Sequence, residues 1–144
     1  MHGLKNNVEV RYVGAAVVAG ASIDNNSTRI DMTGYESVMF VTSIADSVDT
    51  GVAAMEIQEN TIDSDTGMAA ISGTSATATS AANDDLNGTL LISEIIKPTG
   101  RYVQATRTSA TANIAYGTVV AYLTPYRKPV TDHSTVSAAV SVSN

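Results

Sequence analysis

Apolar and polar residues alternate through most of the 144-residue chain, and this period of two predicts β-strands rather than helices. Clusters of Gly, Asn, Asp and Ser separate the alternating stretches and predict turns between them. The eight predicted strands span about 8–18, 28–32, 36–45, 52–60, 68–79, 88–97, 101–108 and 114–124. Because no helix is predicted between them, the pattern favours an all-β fold, a single antiparallel β-sandwich, and eight strands fit a jelly roll.

The alternation also predicts which side chains share a face of each strand. Apolar residues on both faces of the third strand, Val38, Phe40 and Ile44 against Met39 and Val41, are typical of a central strand. The side chains predicted to point inward from the fourth and seventh strands are Ala53, Met55, Ile57, Val103 and Ala105, and those predicted to point outward are Glu56, Gln58, Gln104 and Thr106. The other sets that share a face are Val8, Val10 and Tyr12, opposite Glu9 and Arg11; Leu90, Ile92 and Ile96; and Val119, Ala121 and Leu123.

Two prolines mark the predicted end of the domain. Pro125 and Pro129 interrupt regular strand pairing, so residues 1–128 are predicted to form the sandwich and residues 129–144 a C-terminal extension. We expect this extension to be an interface arm, since its valines alternate with serine and can add a strand to a neighbour's exposed sheet edge. A tail that packs on its own domain is the alternative.

Composition narrows the classes of function. Apolar residues make up 44% of the chain, but it contains a single Phe and no Trp, so a thin core is expected to gain stability from neighbouring subunits. The net charge is −6 and the basic residues are scattered except for Arg127 and Lys128, which argues against nucleic-acid binding. No apolar run is long enough for a transmembrane helix, and no secretory signal is expected at the N-terminus.

The absence of cysteine excludes disulfides, thiolate metal sites and cysteine nucleophiles. It also removes the Cys and Trp hallmark of antibody domains, which seven strands would otherwise have suggested.

No residue pattern predicts a catalytic or metal site, and no cofactor is expected. The acidic stretch from Asp63 to Gly67 resembles the start of an EF-hand loop, but Met68 and Thr74 stand where the loop requires Gly and Glu, so an acidic turn is predicted. The two histidines, His2 and His133, lie near opposite ends of the chain and are expected to be exposed or at an interface.

A carboxylate pair and a tyrosine row are weaker alternatives. Asp84, Asp85 and Glu94 resemble a glycosidase set, although such sites normally add aromatic platforms. Exposed tyrosines on one sheet face would indicate a glycan-binding module; we expect them instead to cap the sandwich and line subunit contacts. The six tyrosines are Tyr12, Tyr35, Tyr102, Tyr116, Tyr122 and Tyr126. We therefore expect a protein that is not an enzyme.

Four stretches of the chain resemble a known family. They are 30–41 (IDMTGYESVMFV), 54–60 (AMEIQEN), 84–89 (DDLNGT) and 97–105 (KPTGRYVQA). They resemble short structural proteins of tailed bacteriophages, similar in size and strand plan to jelly-roll capsid cement (decoration) proteins. The resemblance implies a homo-oligomer, dimer or trimer, made in the host cytoplasm, that binds the major capsid protein on the exterior of the virion. A tail, fibre, minor capsid or small coat protein is the alternative within phage particles.

Several residues receive a predicted role from their positions. Gly34 and Tyr35 turn the chain between the second and third strands, and Arg101 is placed to bond backbone carbonyls or a neighbour's carboxylate. The residues predicted to contact partners are His2, Leu4, Lys5, Tyr126, Arg127, Val136, Val140 and Val142.

Overall fold

The computed structural model describes residues 3–130 and 133–142, which form two antiparallel β-sheets and one short helix. The elements are α1 (Leu4–Asn7), β1 (Glu9–Gly14), β2 (Val17–Gly20), β3 (Asp24–Asn26), β4 (Ile30–Asp31), β5 (Tyr35–Ser47), β6 (Val52–Asn60), β7 (Ala69–Ala70), β8 (Ala76–Thr79), β9 (Leu90–Ile96), β10 (Tyr102–Ala110) and β11 (Ile114–Pro125).

The strand order is that of a jelly roll. The first sheet runs β1-β11-β5-β9, with β2 also paired to β11; the second runs β3-β10-β6-β7, with β4 also paired to β10 and β8 to β6. β1 and β2 both pair with β11, β3 and β4 both pair with β10, and β7 and β8 both pair with β6, so each couple forms one row of its sheet and the eleven strands form eight rows. Numbered along the chain, the first row pairs with the eighth and the second with the seventh, so the predicted all-β jelly-roll sandwich is confirmed.

The core lies between the two sheets and is built from the predicted inward faces. The side chains predicted to point inward from the fourth and seventh strands are fully buried, and so are the sets predicted to share a face on the third and eighth strands. These residues are Val38, Phe40, Ile44, Ala53, Met55, Ile57, Val103, Ala105, Val119, Ala121 and Leu123.

In β1 the face that carries Glu9 and Arg11 points into the sandwich, and the more apolar face with Val10 and Tyr12 points outward. Glu9 and Val13 are therefore buried, whereas Tyr12 is half exposed. A carboxylate is tolerated inside because the guanidinium of Arg11 and the hydroxyl of Tyr35 both donate hydrogen bonds to Glu9.

Two segments depart from the predicted strand pattern. The stretch Asp24–Asn26, predicted as a turn, forms β3 because the side chain of Asn26 accepts a hydrogen bond from Thr106 on the neighbouring strand. The predicted fifth strand divides into β7 and β8, since Gly73 turns the chain with a φ of 85°. The hydroxyl of Thr74 then accepts a hydrogen bond from the Ile57 amide, which attaches this turn to β6.

Two polar side chains of β10 are buried although they were predicted to be exposed. Gln104 and Thr106 do lie on the face opposite Val103, but Gln104 donates to Gln58 and Thr106 donates to Asn26. Neighbouring polar side chains therefore cover this face, which alternation alone cannot reveal.

The largest fully buried side chain is Arg107, which the sequence pattern did not single out. Its guanidinium donates to the carbonyl oxygens of Ala15 (2.7 Å) and Gly117 and to Oδ1 of Asn25 (2.6 Å). It also lies 5.5 Å from the ring centroid of Tyr116. Burial lowers the pKa of Arg107. One side chain thus joins β3 and β10 of the second sheet to the irregular parts of the first.

Candidate interaction surfaces

Both terminal segments lie together beside β1. The amide of Val130 donates to the carbonyl oxygen of Asn6 (2.8 Å), which joins the start of the C-terminal segment to α1. Further along, His133 Nδ1 accepts from the amide of Val10 (3.1 Å) and the hydroxyl of Thr135 accepts from the amide of Tyr12 (2.8 Å). Side chains of the C-terminal segment therefore cover the outer edge of β1.

The predicted contact residues fall into two groups on this region. Leu4, Val140 and Val142 are each at least 80% exposed, and a groove lined by Gly3, Lys5, Asn6 and residues 139–142 runs between the two segments. Tyr126 and Arg127 are exposed just after β11, while Val136 is 36% exposed. His2 lies outside the described residues.

A cleft next to β1 contains a compact polar cluster. It is lined by Glu9, Arg11, Tyr35, Pro125, Arg127, Pro129, Val130 and Ser134. Arg11 donates to Glu9 (2.7 Å) and to the Tyr35 hydroxyl (3.2 Å), and its guanidinium lies 5.7 Å from the centroid of that ring. Burial, together with the Glu9 carboxylate, raises the pKa of Tyr35. A raised pKa keeps the Tyr35 hydroxyl available as a hydrogen-bond donor to Glu9.

The same tyrosine also lines a second cleft on its other side. This cleft is formed by Met32, Thr33, Tyr35, Tyr126 and residues 97–101. Arg101 forms a bidentate ion pair with Asp31 (3.0 and 2.8 Å), so its partner is a carboxylate of the adjacent strand β4. The Arg101 guanidinium holds the pKa of Asp31 well below its usual range.

Basic residues concentrate at this end of an otherwise acidic protein. Among the described residues, ion pairs involve Arg11, Arg29 and Arg101. The exposed side chains of Lys97, Arg127 and Lys128 take part in none of them. We call this group, with Tyr126 between its members, the basic end. Lys97 was not predicted as part of it. It follows β9, and pairing of Ile96 with Ser37 and of Ser37 with Thr124 brings the end of β9 to the end of β11.

The middle of the outer face of the first sheet is mostly apolar. One line of neighbouring residues across the four rows is Ile92, Val41, Val120 and Tyr12, and the next is Glu94, Met39, Tyr122 and Val10. The predicted grouping of Leu90, Ile92 and Ile96 also lies on this face, and these side chains are 51–61% exposed. A face of this composition is typical of an interaction surface.

The candidate chemical groups are engaged in structural contacts. Arg29 bonds both Asp63 (2.6 Å) and Asp65 (2.7 Å), so a guanidinium neutralises the acidic turn. Asp85 accepts from the Ser80 hydroxyl and the Ala81 amide in its own loop. Within residues 3–130 and 133–142, no group of three or more acidic or histidine side chains is arranged to hold a metal ion.

The tyrosines are distributed over several surfaces. Tyr12 and Tyr122 lie on the outer face of the first sheet, where Tyr12 is exposed and Tyr122 is half-buried, while Tyr116 is buried and Tyr126 belongs to the basic end. The described residues therefore present no row of exposed tyrosines on one sheet face. None of the helices described in this chain is long and apolar enough to cross a membrane.

No protein-family model matches the chain, and no curated protein matches it. Among solved structures it is similar to one described as that of the infectious bursal disease virus Gx strain, with 13% identity, a TM-score of 0.44 and coverage of 84% of this chain and 33% of that one. It is also similar to the enzymatically active domain of tailspike protein 4 of bacteriophage CBA120, with 13% identity, a TM-score of 0.37 and coverage of 84% and 20%. The chain spans a third or less of either structure, and similarity at this level carries no argument about activity.

Proposed function

We propose that this protein is a structural component of a bacteriophage particle that acts as a capsid cement, or decoration, protein. In this role it binds the major capsid protein on the outside of the shell and stabilises contacts between capsid subunits. The observation that supports this most directly is the meeting of both terminal segments and the basic end on one region of a jelly-roll domain. The resemblance of the sequence to phage cement proteins points to the same role.

The distribution of charge suits binding in a fixed orientation. The chain carries a net charge of −6, yet Lys97, Arg127 and Lys128 project from one end without an ion pair among the described residues. An acidic partner surface would attract this end and repel the rest of the molecule. The exposed apolar side chains of Leu4, Val140 and Val142 lie in the adjoining terminal segments and would supply buried area once the end has docked.

Repetition over a closed shell makes weak contacts sufficient. Each domain offers a small surface, but every copy that bridges two capsid subunits converts one of its contacts into an intramolecular one. Modest affinity per site would therefore raise the resistance of the shell to heat or internal pressure.

The first experiment measures binding to particles that lack the protein. Purified chain is mixed with such particles, and bound copies are counted after sedimentation. We expect saturation at a fixed number of copies per capsid, together with a higher temperature of genome release. Absence from particles, or a copy number that matches the tail rather than the shell, would overturn the proposal and favour a tail or fibre component.

A matched pair of variants tests the basic end. The double substitution Arg127→Ala with Lys128→Ala changes the net charge by −2, and Thr77→Glu with Thr79→Glu changes it equally on exposed positions of β8. We expect the first variant to bind particles at least about tenfold more weakly, with a reduced salt dependence. The second should bind like the unmodified protein. Equal loss in both variants would show that only overall charge matters.

A truncation tests the C-terminal segment. A chain that ends at Lys128 lacks the contacts that His133 and Thr135 make with β1 but keeps all eleven strands. We expect it to remain folded by circular dichroism and to bind particles less well. Full occupancy of the capsid by the truncated chain would contradict a role for this segment in binding.

A further inference from the structure

The two edges of the first sheet differ. The β1 edge is covered, because His133 and Thr135 accept hydrogen bonds from its amides. At the other edge, β9 pairs with β5 on one side, and the described residues place no strand on its other side. An uncovered edge with apolar side chains is a template for pairing with another chain.

The ladder with β5 fixes which backbone groups of β9 are free. The amide of Lys97 donates to Glu36 (2.8 Å) and the amide of Ile44 donates to the carbonyl of Thr89 (2.9 Å). Since backbone groups in an antiparallel strand alternate in direction, residues with odd numbers between these two point toward β5. The N–H and C=O groups of the even-numbered residues, Leu90, Ile92, Glu94 and Ile96, point toward the free edge, and no other hydrogen bond among the described residues uses their N–H groups.

The same four residues carry the exposed side chains of β9. Leu90, Ile92 and Ile96 are 57%, 51% and 61% exposed, and Glu94 is exposed between the last two. A strand added at this edge would therefore satisfy four backbone positions and cover three large apolar side chains at once. A strand that only faced water would not need large apolar side chains at the same positions as its free backbone groups.

We infer that β9 pairs with β9 of a second copy around a two-fold axis at Ser93. The sequence of the strand, LLISEII, is nearly symmetric about that residue, with apolar side chains at both ends. Antiparallel pairing in this register sets Leu90 opposite Ile96 of the partner subunit and Ile92 opposite Glu94 of the partner subunit. Every free N–H and C=O group then meets one from the other copy, and the apolar outer faces join into one continuous surface.

This register explains why the occupant is a second copy rather than an unrelated strand. A two-fold interface requires one surface to complement itself, and the near-symmetric strand does so without a buried charge. The one unfavourable feature is that the two Glu94 carboxylates lie diagonally near each other, at about 7–8 Å by the geometry of such pairs. Pairing through β9 concerns the free protein, so the dimer can be absent while the protein still binds capsids, and capsid binding can be absent while the dimer forms.

The experiment is sedimentation of the full chain over a range of protein concentrations. We expect a monomer–dimer equilibrium that Ile92→Glu weakens at least about tenfold, since it sets a second carboxylate directly opposite Glu94 of the partner subunit. Val18→Glu is the matched control, because it introduces the same charge at an exposed apolar position of the same sheet, 87% exposed on β2. It should leave the equilibrium unchanged.

Two further variants separate the backbone contribution from folding and from charge. Glu94→Pro removes an N–H group that β5 does not use, so it should abolish the dimer while the circular dichroism spectrum is kept. Glu94→Gln should strengthen the dimer severalfold and reduce its response to salt, because it removes the like-charge contact.

The outcomes are distinct. A dimer that is weakened by Ile92→Glu and Glu94→Pro, and survives removal of residues after 128, supports the inference. A monomer at all concentrations, a dimer unaffected by both β9 variants, or an oligomer lost with the C-terminal segment would each overturn it. The last result would show that the arm of another copy, rather than β9, holds the subunits together.

Discussion

Replacement of Arg107 is the most demanding test of how this fold is held together. The side chain is fully buried and donates to Ala15, Asn25 and Gly117, which come from three separate strands or bulges. Arg107→Met keeps most of the volume and removes these three hydrogen bonds, together with a longer one to the hydroxyl of Thr42 (3.4 Å). The acceptors on Ala15, Asn25 and Gly117 then lose a charged donor at part-buried positions.

The expected loss follows from those three acceptors. A hydrogen bond from a charged donor contributes about 1.5–3 kcal/mol, so the loss of three costs at most about 9 kcal/mol, and part-buried acceptors recover some of this by bonding water. Removing the charge returns part of this, because a guanidinium no longer has to be taken out of water. We expect a net loss of about 3–5 kcal/mol, which is a large fraction of the roughly 5–15 kcal/mol typical of a domain.

The measurement is urea unfolding followed by circular dichroism. We expect the midpoint to fall while the dependence on urea stays constant, because the surface exposed on unfolding is unchanged. Arg29→Met is the matched control, since this arginine holds exposed carboxylates on the surface, where such pairs contribute about 0–1 kcal/mol each.

A second variant separates charge from geometry. Arg107→Lys keeps the charge buried but has no planar fork, so it cannot reach Ala15, Asn25 and Gly117 together, and we expect it to be at least as unstable as Arg107→Met. A loss below about 0.5 kcal/mol in Arg107→Met, or full stability in Arg107→Lys, would show that these hydrogen bonds contribute little to the stability of the fold.

Three smaller effects are expected. Burial raises the pKa of Tyr116 to about 12, so the free energy of unfolding that its neutral hydroxyl contributes is complete below pH 10, and about 2–3 kcal/mol of it is lost as pH rises from 10 to 12. Tyr116→Phe should remove this decrease of stability with pH from thermal melts; an unchanged decrease would assign it to another group. Gly100→Ala should cost about 1–3 kcal/mol in thermal melts, because its Cβ would stand 2.9 Å from the backbone of Asn60; no loss would mean that the turn can shift. Asp31→Asn should cost at most about 1 kcal/mol at neutral pH, and since Arg101 lowers the pKa of Asp31, variant and parent should converge as pH falls below the usual aspartate range; a gap that persists in acid would contradict this.

The fold could be predicted where side-chain polarity alone decides which face of a strand is buried. Alternation placed Met55 and Val103 in the core because the opposite faces of their strands carry polar residues. It failed for Glu9 and Arg107, which are buried because of partners elsewhere in the chain. A pattern along the sequence contains no information about such partners.

The candidate surface was predictable to a similar degree. Tyr126 and Arg127 stand out because regular pairing must end at Pro125, and both are exposed there. Lys97 belongs to the same end, but only strand pairing brings it there from a distant turn. The free edge of β9 could not be predicted, since the apolar side chains of Leu90 and Ile92 are equally compatible with a buried strand.

The hydrogen bond between Val130 and Asn6 has a consequence for protein engineering. It brings the two ends of the described chain side by side, and Gly3 lies against Ser141 as well. A short linker can therefore join residue 3 to residue 142, and the chain can be opened at the exposed turn around Asp49 and Thr50. Such a circular permutant would keep every row of the sandwich and carry a fused cargo at the opposite end of the molecule from the basic end.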